Sequence, residues 1–273
     1  MIELTKTEEK VPLWTKNFIM LWISNLAMIT SFYLLLPTLP KFASDVLGAS
    51  KGQIGYILGI YSLAAVLIRP FAGYFLDSVD RRMVNLLSLA GFTLVILTYN
   101  LISSLALLFL IRIFHGFTFG LANTSGPTIV GDILPPSRRG EGVGYYGLSW
   151  TLAMAIGPVI GLALIVDNSY NRLFLVSAII AGMALMSAAP IRLPKLALVK
   201  RPIAWNSFFE NKVLPLSLIM FFSSIGFGAV VSFITLYSDE IGVKNGSMFF
   251  IVYAVALTVA RPMTGRMFDR EGP

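Results

Sequence analysis

Cysteine is absent from this chain, which removes disulfides, thiolate metal sites and cysteine nucleophiles at once. Histidine occurs once, so a metal cluster built on imidazoles is out of reach, and no metal or organic cofactor is expected. Charge is also scarce: Asp, Glu, Lys and Arg make up 13% of the 273 residues, against 56% hydrophobic. So few charges cannot coat a water-soluble globule of this size, and the solvent of the fold must be lipid. What is abundant is apolar sequence in runs of about 20 residues or more, enough to cross a hydrocarbon core of roughly 30 Å at about 1.5 Å per residue.

Lys6, Lys10 and Lys16 precede an apolar stretch from Phe18 to Leu39. It is too long for a signal-peptide core and lacks a small-residue cleavage pattern, so it reads as a retained first helix. Charges, prolines and glycines between the apolar runs place eight helices, at 17–39, 53–76, 83–101, 105–130, 141–166, 172–190, 213–237 and 247–268. A net charge of +7 invites a nucleic-acid reading, but the positions of the cations decide against it. With the N-terminus inside, fourteen of the 21 Lys and Arg fall on the inner side and only Lys41, Lys51, Arg172 and Lys244 outside. That bias predicts a multi-pass protein of the plasma or inner membrane with a cytoplasmic N-terminus.

An internal repeat organises the chain. RPFAGYFLD at Arg69–Asp77 returns as RPMTGRMFD at Arg261–Asp269, 192 residues later. SDVLG at Ser44–Gly48 is echoed by SDEIG at Ser238–Gly242, and Tyr61 and Tyr253 each lie eight residues before their arginine. Copies six helices apart with the same sidedness are parallel repeats related by an axis along the membrane normal. The resulting division is a six-helix bundle over 1–190, a cytoplasmic linker over 191–212 with Pro194 and Pro202, and an incomplete bundle over 213–273. About four further helices would be needed for the second bundle to match the first, so the chain reads as truncated.

GYFLDSVDRR, Gly73–Arg82, resembles the loop signature G-x-x-x-D-R-x-G-R-R of the major facilitator superfamily, with Ser78 and Asp80 where that pattern has Arg and Gly. The resemblance implies an all-α membrane protein with a six-helix N-terminal bundle plus the first two helices of a C-terminal bundle. It also implies a cytoplasmic gate built from Gly73, Asp77, Arg81, Arg82 and, in the second copy, Gly265 and Asp269. Asp132, at the inner end of helix 4, is a candidate partner for Arg81, or else a simple helix cap.

RIFHGFTFGLA, Arg112–Ala122, resembles the family's R-x-x-Q-G-x-x-x-G signature of proton-coupled members, with His115 in place of Gln. A guanidinium inside the bilayer costs about 2.5–3.5 kcal/mol on insertion scales, so Arg112 should face a hydrated interior or a partner. It could bind an anionic group, tune a neighbour, or tie to backbone carbonyls of another helix. His115, three residues on, shares its face and is either a proton carrier or a satisfied interior histidine. AMAIGPVIG, Ala153–Gly161, is similar to the G-P-x-x-G signature of drug–proton antiporters and contributes Gly157, Pro158 and Gly161. Ser149, Ala153, Gly157 and Gly161 form a small-residue stripe, and Ala256, Ala260 and Thr264 offer a matching ladder on helix 8 that would join the two bundles.

Gly142, Gly144 and Gly147 spell G-x-G-x-x-G, but no strand precedes them, so they read as a Gly-rich helix start rather than a dinucleotide site. Enzyme chemistry is not expected, because the loops are too short for a catalytic domain and no carboxylate sits mid-membrane. The resemblance therefore implies a monomeric secondary transporter that needs only lipid, protons and a small-molecule substrate, with a proton gradient as energy source. Its cavity would lie between helices 1, 4 and 7, lined by Trp22, Asn25, Phe32, Arg112, Phe119, Asn123, Phe221 and Phe227. Efflux of small amphipathic molecules by alternating access is the leading expectation. A sugar or organic-anion symporter, or a non-transporting regulatory membrane protein, are the alternatives.

Overall fold

The computed structural model describes residues 12–166, 169–193, 211–226 and 248–271. Nine α-helices account for the described fold: α1 Lys16–Asp45, α2 Lys51–Leu67, α3 Arg69–Ser78, α4 Arg81–Leu97, α5 Leu105–Ile133, α6 Arg139–Ala163, α7 Asn171–Ala188, α8 Leu214–Gly226 and α9 Met248–Glu271. Six segments are long and apolar enough to cross a membrane, with α2 and α3 counted as one span, Lys51–Ser78. Local chemistry sets their starts. Thr15 accepts from the Phe18 N–H at the head of α1, Ser50 and Gln53 form a capping box on α2, and Ser104 caps α5.

Two boundaries differ from the sequence expectation. The first helix runs on to Asp45 through Pro37 and Pro40, because lipid offers the backbone no alternative partner and a kinked helix costs less than a broken one. The second breaks at Ile68, where Pro70 withdraws an N–H from the ladder and a new helix begins. The far half of the seventh expected helix, most of the linker and Phe227 fall outside the described residues.

The six spans close into one bundle. α1 packs against α6 and α7, α5 against α2 and α4, and α4 against α7, while α9 rests chiefly on α6. Between apolar helices in lipid the hydrophobic effect gives little, so close backbone approach and interhelical hydrogen bonds hold the assembly. The Ser24 and Ser31 hydroxyls donate to the carbonyls of Ala184 and Ser177, each at 2.8 Å, and tie α1 to α7. Trp22 Nε1 donates to the Tyr145 carbonyl at 2.9 Å, Asn25 Nδ2 to Ser149 Oγ at 2.7 Å, and Trp150 Nε1 to the Tyr33 hydroxyl at 3.2 Å, fastening α1 to α6.

Candidate functional site

The first motif copy lies at the junction of α3 and α4. Asp80 is the N-cap of α4, accepting from the N–H groups of Arg82 at 2.8 Å and Met83 at 3.2 Å. A carboxylate at this residue therefore has a structural reason, since it satisfies donors that a glycine would leave to water. One Arg81 nitrogen sits 2.6 Å from both Asp132 oxygens, while Arg81 Nε donates to the Leu76 carbonyl at 3.1 Å. Asp77 stands 3.7 Å from Arg81 with its side chain 70% exposed, and nothing approaches a Cβ built on Gly73 within 4 Å. Arg82 donates to the Ala189 carbonyl at 2.6 Å, holding the end of α7. Asp132→Asn is expected to lower stability by about 1–3 kcal/mol, below the figure for a fully buried pair because both partners keep some solvent. Thermal melting checks this, and exchanging the two charges (Arg81→Asp with Asp132→Arg) should recover part of the loss.

The second copy is engaged. Asp269, on α9, accepts the Gly140 N–H at 2.7 Å and the Glu141 N–H at 2.8 Å, and so caps the first turn of α6 from another helix. Arg266 Nε donates to Glu141 Oε1 at 2.9 Å and a second Arg266 nitrogen to the Tyr145 hydroxyl at 3.1 Å, while Arg138 holds the other Glu141 oxygen at 2.8 Å. The backbones of Gly140 and Gly265 touch: a Cβ on Gly140 would stand 2.5 Å from the Gly265 carbonyl oxygen. One turn further, a Cβ on Gly144 would stand 2.5 Å from the Arg261 carbonyl oxygen, and Gly147 lies directly against the Arg261 guanidinium.

These contacts correct the expected pairing of small-residue stripes. Gly140, Gly144 and Gly147, rather than Gly157 and Gly161, form the face of α6 that meets α9. The Ser149–Gly161 stripe instead receives α1: a Cβ on Gly157 would lie 2.5 Å from Tyr33 Cβ, and one on Gly161 would lie 2.5 Å from the Leu34 carbonyl oxygen. Stripes spaced by four along one helix lie on one face only, and a helix with two such stripes can clasp two neighbours. Gly144 and Gly147 of the apparent dinucleotide fingerprint thus have a packing purpose against α9, and the Gly140–Gly144 spacing is the sequence signal for it. Glu141 was the residue missed, since its role depends on Arg266 125 positions away.

Arg112 is 3% exposed and His115 wholly enclosed. The guanidinium lies 3.9 Å over the Tyr61 ring and its Nε donates to the Ile57 carbonyl at 3.3 Å, so α5 is tied to α2 by a backbone carbonyl and a cation–π contact. His115 Nδ1 is 2.8 Å from the Tyr99 hydroxyl, its ring is walled by Tyr61, Phe92 and Tyr99, and its Nε2 has no hydrogen-bond partner. Gly116 and Gly120 let α5 approach the α2 backbone beside this cluster. Phe32 stacks on both Tyr61 and Phe119 next to it, those two rings lie tilted against each other, and Tyr33 and Trp150 extend the aromatic set toward α6. Of the other expected lining residues, Trp22 and Asn25 are spent on α6, Asn123 is half-buried on α5, and Phe221 is exposed on α8.

Comparison with known proteins fits this arrangement. The sequence profile of the Major Facilitator Superfamily matches residues 21–273. The chain is 29% identical over 266 residues to the staphylopine export protein of Staphylococcus aureus, covering 93% of this chain and 66% of that protein. It is 23% identical to the multidrug resistance protein MdtG of Yersinia enterocolitica over 95% of this chain and 67% of the relative. Over 130 residues it is 32% identical to the class B tetracycline resistance protein of Escherichia coli, 47% of this chain and 32% of that one. In three dimensions it resembles the human organic anion transporter MFSD10, with a TM-score of 0.74 at 18% identity over 94% of this chain and 73% of the other. The chain thus spans about two thirds of the length of the first two of these relatives, and with the profile covering nearly all of it, it belongs to the Major Facilitator Superfamily, a family of transporters and not of enzymes.

Proposed function

We propose that this chain acts in a secondary active transporter that exports small amphipathic molecules by alternating access, driven by the proton gradient. The observation that carries the reading is the seam between α6 and α9: two helix N–H groups on the Asp269 carboxylate, one Glu141–Arg266 ion pair and two touching glycines. The polar contacts of this seam are part-buried and lie at a helix terminus, where they can part and re-form as a gate requires, whereas the polar contacts of the α1–α6 seam include the buried Asn25–Ser149 bond. In the orientation indicated by the basic loops, this gate faces the cytoplasm. The names of the similar proteins, an export protein and two resistance proteins, support the outward direction.

Reconstitution into proteoliposomes with an imposed pH gradient tests the reading. Gradient-dependent, counter-directed movement of a lipophilic fluorescent drug supports it, while uptake of sugar or organic anion with the proton would replace it by the symporter alternative. His115 is enclosed by three rings with no carboxylate against it among the described residues, and in this reading it is a structural partner of Tyr99. His115→Gln, which can still hydrogen-bond that phenol, is expected to leave the pH profile of transport unchanged and to cost about 0.5–1.5 kcal/mol of stability. A flattened profile would instead make His115 the proton carrier.

A further inference from the structure

Away from the gate, a cleft of about 570 Å³ opens at the same end of the bundle, lined by Lys16, Asn17, Arg82, Pro190 and Arg192. Three cations from three separate helix ends share it, and all three are exposed. Among the described residues neither Lys16 nor Arg192 forms a salt bridge. Arg82 and the segment carrying Arg192 are pinned in place. Asn17 Nδ2 donates to the Arg192 carbonyl at 2.7 Å, its Oδ1 accepts the Arg192 N–H at 3.4 Å, and Arg82 reaches across to Ala189 at 2.6 Å. The nearby carboxylate, Asp80, is already occupied by the N–H groups that begin α4. Both α1 and α4 start at this cleft and bring the positive ends of two helix dipoles, against the negative end of one, α7, which finishes there.

Below the cleft, α4 and α7 pack together and carry large apolar side chains on their outer faces. Met83 and Leu87 are 54% and 61% exposed, and Met183 and Met186 are 51% and 73% exposed. Positive charge at the headgroup level above an apolar surface at acyl-chain depth is the pattern of an anionic lipid site. We propose that Lys16, Arg82 and Arg192 bind the phosphate headgroup of an anionic phospholipid in the adjacent leaflet, with its chains along α4 and α7. The ligand chemistry is a phosphate ester, and the apolar flank selects the lipid over free phosphate. The site stands independently of the export reading, since it requires only that the bundle lies in a bilayer.

Native mass spectrometry of the full chain in neutral detergent, titrated with phosphatidylglycerol or phosphatidylcholine of the same acyl chains, tests the site. Phosphatidylglycerol should be retained preferentially, and millimolar inorganic phosphate should not displace it. Lys16→Gln with Arg192→Gln should weaken its binding roughly 30-fold at low salt, at about fivefold per cation near a headgroup. Arg139→Gln with Arg270→Gln, which removes two exposed cations from the same end outside the cleft, should change it less than threefold. Lys16→Arg with Arg192→Lys should retain binding, and serves if the glutamine pair fails to fold. Equal retention of both lipids, equal losses in the two charge-removing pairs, or displacement by inorganic phosphate would each overturn the proposal.

Discussion

Gly161→Ala is expected to lower the thermal stability of the protein, although alanine is ordinarily the better helix former. At this position a Cβ would lie 2.5 Å from the Leu34 carbonyl oxygen and 3.0 Å from its Cα. Both are backbone atoms of α1, which cannot rotate aside as a side chain would, so α1 and α6 must separate. Separation would also stretch the Asn25–Ser149 and Trp150–Tyr33 bonds, which lie on the same seam. Overpacking of this kind costs about 1–3 kcal/mol, which outweighs the roughly 0.5–1 kcal/mol that replacing a helical glycine returns. Gly157→Leu and Gly161→Leu carry the same conflict further and should prevent assembly of the bundle. Gly59→Ala is the control, since nothing lies within 4 Å of its Cβ position and only the helix-propensity gain remains. Melting in detergent separates the two: a Gly161→Ala protein as stable as Gly59→Ala would contradict the packing described here.

The second large effect is expected at Asp269. Asp269→Ala withdraws both acceptors from the Gly140 and Glu141 N–H groups and removes a negative charge from the positive end of α6. Loss of an N-cap costs about 0.5–2 kcal/mol and loss of the charge–dipole attraction about 0.3–1 kcal/mol. Unlike the glycine substitution, this loss falls on the α6–α9 contact, so on the proposed reading it should shift the closed and open populations at this end while leaving the six-span bundle folded. A change of about 2 kcal/mol is roughly 30-fold in that equilibrium. On the proposed alternating-access reading, transport should slow because the carrier spends too little time closed on this side. Asp269→Asn keeps one acceptor without the charge and should fall between the two.

Much of this architecture was legible in the residues, and for a physical reason. Helices in lipid must satisfy their backbone internally, so their spans appear as apolar runs, and the repeat at Arg69 and Arg261 relates α3 to α9. The Arg81–Asp132 contact was also within reach, since both residues sit at the same end of neighbouring spans. What one sequence does not show is which helix a face will meet. Small residues lie on two sides of α6, and nothing local says that Gly157 and Gly161 take α1 while Gly140, Gly144 and Gly147 take α9. Nor does the repeat say that its copies differ in use. Asp269 is bonded to a helix terminus and Asp77 is exposed, because α6 begins beside the one with its N–H groups open, whereas α4, which begins beside the other, is already capped by Asp80.

Asp269 holds α9 to the start of α6 at the basic end, and spin-label distances measure that directly. The chain has no cysteine, so Arg139→Cys with Arg270→Cys would carry the only labels, one on each side of the α6–α9 contact. In lipid nanodiscs a short distance should dominate, and adding Asp269→Ala should move a large part of the population to a longer one. A distance distribution that Asp269→Ala leaves unchanged would contradict the latch.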